Sequence, residues 1–146
     1  MKSYFNPKEV EQIIDVSYRQ LQYWDDSNML KPSVLWRNKF RMYTLIDLVK
    51  IDLVVGLRSY GFSIQKIRKT LLKLDEILEN HGLSIGEVRM AFSSNNIILS
   101  CDRIYMDEKA VAKHFFYDSN DLMNRVNVFF TQKREAETSH SSSENQ

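Results

Sequence analysis

The sequence predicts a mainly α fold: a winged helix-turn-helix with a two-helix extension, followed by a small α+β C-terminal appendage. Three observations predict it, namely two short capped helices joined by a tight turn, a basic hairpin, and two longer helices with apolar stripes. The chain has 146 residues, and 43% of them are hydrophobic. That is enough to bury the core of one domain, or of one small domain plus an appendage.

The first helix is predicted from the segment NPKEVEQI. Asn6 is a good N-cap, Pro7 suits the first helical position because no hydrogen bond is needed there, and Glu9 falls in the first turn. An apolar stripe at helical spacing follows in Val10, Ile13 and Ile14. This helix is expected to end near Asp15.

The second helix begins at Ser17, about three residues after the first ends. Helices joined this tightly form a helix-turn-helix, in which the second helix can lie in the DNA major groove. Leu21 and Trp24 fall on the inner side, whereas the outer side carries side chains suited to base edges and phosphates. The candidate DNA-binding residues of this segment are Ser17, Tyr18, Arg19, Gln20, Gln22 and Tyr23.

The segment VLWRNKFRMY predicts a short β-hairpin, or wing, with a basic tip. Its position directly after the second helix favours contacts with phosphates over a merely solvated hairpin. The candidate contacts of the wing are Arg37, Asn38, Lys39 and Arg41. The large aromatic residues Trp24, Trp36 and Tyr43 are predicted to pack in the core.

Two longer helices follow the wing. Thr44 caps the third, which runs through Tyr60 and stops at Gly61, and Ser63 caps the fourth, which stops at Gly82. The fourth helix has apolar residues at heptad spacing: Ile64, Ile67, Leu71, Leu74 and Leu78. We interpret this stripe as intramolecular packing plus some dimer surface, because the helix is too short for an extended coiled coil.

The region after Gly82 is predicted to be a small mixed appendage. A helix capped by Ser84, two strands around a Cys101-Asp102 turn, and a helix capped by Asp107 are expected, whereas NDLMNRVNVFF fits either a helix or a strand. The aromatic residues of this region are more consistent with its core than with a ligand pocket. The predicted divisions are 1–72 for the winged domain, 73–132 for dimerisation and appendage, and 133–146 for a disordered tail.

Charge is distributed unevenly along the chain. Residues 1–73 hold 13 Lys or Arg against 7 Asp or Glu, a net of +6, whereas residues 74–146 hold 7 against 12, a net of −5. This asymmetry favours a polyanionic partner for the first half alone, although a solvated surface with uneven charges would give the same count.

Several classes of protein find no support in the sequence. Cys101 and the three histidines stand at no metal-ligand spacing, and no phosphate-binding loop or catalytic motif is present, so no metal, cofactor or enzyme activity is predicted. No apolar run approaches the roughly 20 residues of a membrane helix, and no signal peptide is visible. The expected location is the cytoplasm, in association with the nucleoid.

The order of these motifs resembles the N-terminal DNA-binding domain of the MerR family of transcriptional regulators. The resemblance covers about residues 4–72 and rests on three motifs: Leu30-Lys31-Pro32 after the second helix, Arg41-Met42-Tyr43 after the wing, and Gly61-Phe62-Ser63 between the last two helices. The region beyond Gly82 is more similar to the small αβ appendage of some MerR-like proteins than to the coiled coil and cysteine loop of the metal sensors.

The resemblance implies roles for particular residues. It places Arg19, Gln22 and Tyr23 against DNA and gives Arg41 and Tyr43 a part in making or supporting backbone contacts. This sequence departs from the family pattern at three positions: Gln22 stands where Arg is usual, and Asp15 and Asn28 stand where Gly is usual. Asp and Asn tolerate a left-handed backbone better than most residues, so both turns can survive.

The function that the resemblance implies is that of a homodimeric regulator on a palindromic promoter site. Its partners would be double-stranded DNA and RNA polymerase, and it would act by distorting the promoter. Two other hypotheses stay open at this point. One is an architectural or excisionase-like DNA-binding protein, or an antitoxin. The other is a winged-helix protein-interaction module whose acidic half binds a partner.

Overall fold

A computed structural model of the chain describes residues 4–81, 88–92, 97–101 and 115–144. Within these residues it has five helices and five strands. The helices are α1 (Pro7–Ile13), α2 (Tyr18–Asp26), α3 (Leu45–Ser59), α4 (Ile64–His81) and α5 (Ser119–Glu144). The strands are β1 (Val34–Trp36), β2 (Phe40–Met42), β3 (Val88–Phe92), β4 (Ile97–Cys101) and β5 (Phe115–Asp118). The mainly helical winged fold is therefore confirmed.

Reciprocal side-chain caps begin the first three helices. In each, the N-cap side chain accepts the backbone N–H three residues on, and the side chain at that position accepts the backbone N–H of the cap. The pairs are Asn6 with Glu9, Ser17 with Gln20, and Thr44 with Asp47. The Ser63 hydroxyl likewise accepts the backbone N–H of Lys66, 3.3 Å away, at the start of α4.

The predicted inner residues of the helix-turn-helix and of α3 belong to one buried cluster. Its core side chains are fully or almost fully buried: Val10, Ile13, Leu21, Trp24, Leu48 and Leu57. Ile67, Leu71 and Leu74 of the α4 stripe are buried in the same cluster, whereas Ile64 is exposed. Most of the described stripe therefore packs within the chain.

A left-handed backbone in the turn after α2 explains why Asn28 stands where Gly is usual. Asn28 has φ 60°, so Asn replaces Gly where a positive φ is required. Asp15 is not among the residues with positive φ, so the turn between α1 and α2 is kept without a left-handed backbone at Asp15. The turn between α1 and α2 is secured in another way, because the Glu11 carboxylate accepts the backbone N–H of Tyr18.

The second half of the chain contains a three-stranded antiparallel sheet in the order β4-β3-β5. The helix predicted from Ser84 is wrong where it overlaps the described residues, since Val88–Phe92 is the central strand and is paired on both sides. Phe115, expected near the end of a helix, lies in β5 opposite Phe92. Cys101, predicted in a two-residue turn, is instead the last residue of β4 and lies opposite Val88. Asp102 and most of the helix capped by Asp107 lie outside the described residues.

Helix α5 resolves the ambiguous segment and extends further than expected. It runs from Ser119 to Glu144, so the structure has a helix where the sequence predicts disorder from Lys133. Side chains before and at that point fasten the helix to the winged domain. Phe129 and Phe130 pack at centroid distances of 6.3 and 5.9 Å from Phe5, and Lys133 lies 3.4 Å from the Glu9 carboxylate. A helix that is already nucleated can extend at little cost into a polar segment.

The buried cluster thus crosses the predicted boundary at residue 72. Leu122, Val126 and Phe129 of α5 belong to the same cluster as the helix-turn-helix core. A polar network accompanies this contact: the Tyr117 hydroxyl and the Arg125 guanidinium donate to the two oxygens of Asp52, at 3.0 and 2.8 Å. Helix α5 is therefore packed on α1 and α3.

Candidate DNA interface

Helix α2 presents most of the predicted contact residues on its open side. Ser17, Tyr18, Arg19, Gln20, Gln22 and Tyr23 are all exposed. Leu21 and Trp24 hold the opposite side of the helix in the core, which fixes the direction in which the exposed side chains point. The helix is also held at its end, because Arg68 of α4 donates to the Ser27 carbonyl at 3.2 Å.

Two of these residues form the cap of α2. The Gln20 side-chain oxygen accepts the backbone N–H of Ser17 at 3.0 Å, and the Ser17 hydroxyl accepts the backbone N–H of Gln20 at 3.1 Å. Gln20 therefore stabilises the start of the helix, whereas neither Arg19 nor Gln22 takes part in this cap. This separates Gln20 from Gln22, which the sequence alone treats as equivalent.

The wing is a two-stranded hairpin with its basic tip exposed. β1 and β2 pair antiparallel from Val34 opposite Met42 to Trp36 opposite Phe40. Three residues, Arg37 to Lys39, connect the strands. Arg37 and Asn38 both have φ 54°, and the backbone N–H of Lys39 donates to the Trp36 carbonyl at 3.2 Å, which closes a tight turn. The predicted tip is confirmed.

An ion pair ties the wing to the end of α2. Arg41 Nε lies 2.6 Å from Asp25 Oδ2, and Lys31 Nζ lies 3.0 Å from Asp25 Oδ1. Burial acts to raise the pKa of Asp25, but the hydrogen bonds from Arg41 and Lys31 outweigh it, and the pKa lies below its ordinary value. Arg41 is thus engaged within the protein, and it supports the interface from behind instead of projecting freely toward a phosphate.

Tyr43 and Trp36 are both predicted to pack in the core, and only Tyr43 does so. Tyr43, a candidate for making or supporting DNA contacts, is fully buried, so any contribution it makes is from the core. Trp36, predicted to lie in the core, is 53% exposed on the wing, so that prediction is wrong. Leu35, which points to the other face of β1, is 52% exposed as well, so the end of the hairpin projects from the core with both faces open.

Two connections that anchor the wing were not predicted from the sequence. Phe5 and Tyr43 exchange backbone hydrogen bonds of 2.8 Å, so the chain before α1 pairs with the residue after β2. The buried Asp47 carboxylate accepts the backbone N–H and the hydroxyl of Ser33, at 2.8 and 2.6 Å, at the start of the wing. A carboxylate three residues after Thr44 is the sequence signal, but the capping pattern does not reveal its second partner.

The described residues supply no other site with recognisable chemistry. Among them, no group of three or more His, Cys, Asp and Glu side chains is placed to hold a metal ion. None of the described helices is both long enough and apolar enough to span a membrane.

Comparison with known proteins agrees with this geometry. Residues 5–74 match the family described as MerR HTH family regulatory protein. The HTH-type transcriptional activator mta of Bacillus subtilis (strain 168) is 30% identical over 128 residues, which is 86% of this chain and 46% of that protein. The Multidrug-efflux transporter 1 regulator of the same organism is 28% identical over 78 residues, covering 52% of this chain and 28% of that protein. The chain thus spans less than half the length of either relative.

Proposed function

This chain belongs through residues 5–74 to the MerR family of HTH transcriptional regulators, and we propose that it binds a palindromic promoter site as a homodimer. The observation that carries the proposal is the shared exposure of α2 and the wing tip, held in one fixed relation by the Arg41–Asp25 pair. Such an arrangement lets a helix enter the major groove while a basic hairpin meets the flanking backbone.

We assign the contacts to two groups of side chains. Arg19, Gln22 and Tyr23 would lie nearest the bases and their adjoining phosphates. Tyr18, in the first turn of α2, would lie beside them. The tip, Arg37, Asn38 and Lys39, would contact phosphates. Ser17 and Gln20 would cap the helix, and Arg41 and Tyr43 would support the interface from within the protein.

The test of this function is selection of bound fragments from random and genomic DNA by the full chain. A two-fold symmetric sequence within promoters is the expected result, because two copies of one helix-turn-helix read related half-sites. Binding without sequence preference would indicate an architectural protein instead. Absence of binding would indicate a protein-interaction module.

The proposed dimer is based on apolar surface that the chain leaves uncovered. Leu72 and Ile64 on α4 and Val128 on α5 are exposed, and exposed apolar side chains outside the DNA-facing surface are candidates for contact between two chains. Sedimentation of the full chain is expected to give a dimer, and Leu72→Glu is expected to weaken it. A monomer at all concentrations would contradict the dimer.

RNA polymerase is proposed as a second partner on the family relationship alone. A regulator of this type would change how RNA polymerase engages the promoter. The expected result is therefore a change in transcript level in a purified transcription system. The assay is transcription from the selected promoter with and without the protein. An unchanged transcript level at saturating protein would contradict this part of the proposal.

A further inference from the structure

Arg125 of α5 bridges two elements of the winged domain with one guanidinium group. Its Nη1 donates to the Ile13 carbonyl at 3.3 Å, and its Nη2 donates to Asp52 Oδ1 at 2.8 Å. Ile13 is the last residue of α1, and Asp52 lies in the middle of α3. A side chain from the second half of the chain therefore joins the end of α1 to α3.

Asp52 holds a fixed position in this bridge. Its neighbours in α3, Ile51 and Leu53, are fully buried, and its own side chain is 11% exposed. Its second carboxylate oxygen accepts the hydroxyl of Tyr117, 3.0 Å away, and Tyr117 is itself buried. Both oxygens of Asp52 thus accept a hydrogen bond, which orients the Arg125 guanidinium.

The bridge meets α1 where the helix-turn-helix begins to turn. The last carbonyls of a helix have no donor within the helix, and α1 has no basic residue of its own in its last turn. Arg125 supplies both a donor and the positive charge that favours a helix C-terminus. The turn leads directly to Ser17, the cap of α2, and the Glu11 carboxylate of α1 accepts the backbone N–H of Tyr18. The position of the end of α1 therefore determines where α2 begins.

We propose that Arg125 is a positioning residue for α2, which it aligns for DNA by fixing the end of α1 against α3. The inference rests on the proposed function and deepens it, because it gives a part in DNA binding to a residue outside the matched range 5–74. The role requires a guanidinium. Its rigid fork directs two hydrogen bonds at once, whereas a lysine ammonium is a point charge on a flexible stem.

The experiment measures the affinity of full-length variants for the duplex recovered by the fragment selection, over a series of salt concentrations. Arg125→Lys and Arg125→Ala are each expected to weaken binding about tenfold, the effect of losing one hydrogen bond to a charged group. The slope of log affinity against log salt should not change, because Arg125 acts through α1 and releases no counterions from DNA. A slope reduced by roughly one unit would indicate a direct phosphate contact and would overturn the inference.

Asp52→Asn separates positioning from long-range electrostatics. The substitution makes the chain more positive by one charge, so a purely electrostatic effect would strengthen binding to DNA. It also removes the negative charge that holds the Arg125 guanidinium, so the positioning role predicts weaker binding. Tighter binding by Asp52→Asn would contradict the inference.

Tyr117→Phe is the matched control. It removes the other hydrogen bond to Asp52 and should lower the melting temperature, but it leaves the contact between Arg125 and Ile13 in place. Its affinity for the duplex, measured well below the melting temperature of every variant, should therefore equal that of the wild type. An equal loss of affinity in Tyr117→Phe and Arg125→Lys would show that Arg125 acts only through overall stability, and would overturn the inference.

Amide hydrogen exchange gives a second readout that needs no DNA. The backbone N–H of Val16 donates to the Ile14 carbonyl at 2.8 Å, and that of Tyr18 to the Glu11 carboxylate, so both report on the turn. Both should exchange faster in Arg125→Lys than in the wild type, with exchange in α3 unchanged. Unchanged exchange in the turn would overturn the inference and leave the proposed function intact. A wild-type chain that binds no duplex would overturn both.

Discussion

Arg41 Nε lies 2.6 Å from Asp25 Oδ2, and this contact joins the wing to the last turn of α2. The Asp25 side chain is only 14% exposed and also accepts Lys31 Nζ, so one carboxylate holds two cations at the back of the interface. Burial opposes ionisation, but the hydrogen bonds from Arg41 and Lys31 prevail and keep the pKa of Asp25 below its ordinary value. The orientation of the wing is therefore set inside the protein.

The ion pair predicts that Arg41 and Lys39 act on DNA affinity in different ways. Arg41→Ala should weaken binding by loosening the wing while changing the salt slope little, because Asp25 already neutralises its charge. Lys39→Ala should reduce the slope by roughly one unit, because its charge is exposed at the tip. Salt titrations of both variants measure this difference. Equal reductions in slope would mean that Arg41 leaves Asp25 when DNA binds.

Because the Tyr43 hydroxyl is buried, we predict that Tyr43→Phe does not lower the free energy of unfolding. Tyr43 is fully buried, and among the described residues its hydroxyl has no hydrogen-bond partner. Removing a buried, unsatisfied polar atom should leave the free energy of unfolding unchanged or raise it. Urea denaturation of Tyr43→Phe at neutral pH measures the effect. A loss of more than about 1 kcal/mol would show that the hydroxyl has a stabilising partner.

The same residue predicts a loss of stability at alkaline pH. Burial raises the pKa of Tyr43 to about 12, from an ordinary value of 10.0. The unfolded chain therefore releases this proton first as the pH rises above about 10, and stability falls until about pH 12 by roughly 2–3 kcal/mol. Tyr43→Phe should lose stability less steeply over this range. Some loss should remain, because burial also raises the pKa of Tyr117.

Helix α5 predicts that the second half of the chain stabilises the winged domain. Phe129 is 8% exposed and packs against Phe5, so Phe129→Ala should lower the free energy of unfolding by about 3 kcal/mol. Asn124 on the same helix is exposed and lies outside the proposed dimer contact, and Asn124→Ala should change the free energy of unfolding by less than about 0.5 kcal/mol. Urea denaturation of both variants measures the two changes in the free energy of unfolding. Equal changes would mean that α5 is not packed against the winged domain in solution.

The sequence predicts the winged half well because its signals are local. The caps at Asn6, Ser17 and Thr44 are fixed by residues three positions away, and the tip of the wing by a three-residue connection. Each of these features depends on chemistry within a few residues. They can therefore be read without knowledge of the tertiary structure.

The errors arise where distant residues decide the outcome. Trp36 is exposed, as are Leu35 and Phe40 beside it, because the end of the hairpin projects from the core. Arg41 is engaged because Asp25 lies beside it. Helix α5 extends past Lys133 because Phe129 and Lys133 contact Phe5 and Glu9, more than 120 residues earlier in the chain. Such contacts leave no periodic pattern in the sequence.

The base preference of Gln22→Ala, compared with that of the wild type, tests the central claim most directly. Selection from random DNA should show relaxed preference at one base position in each half-site, at a cost of roughly 1–3 kcal/mol there. Gln20→Ala is the control: it should weaken binding to all sequences by destabilising the cap of α2, without changing the preference. A symmetric change confined to Gln22→Ala would support a dimer that reads DNA with α2. An unchanged preference, or uniform weakening across all sequences, would contradict it.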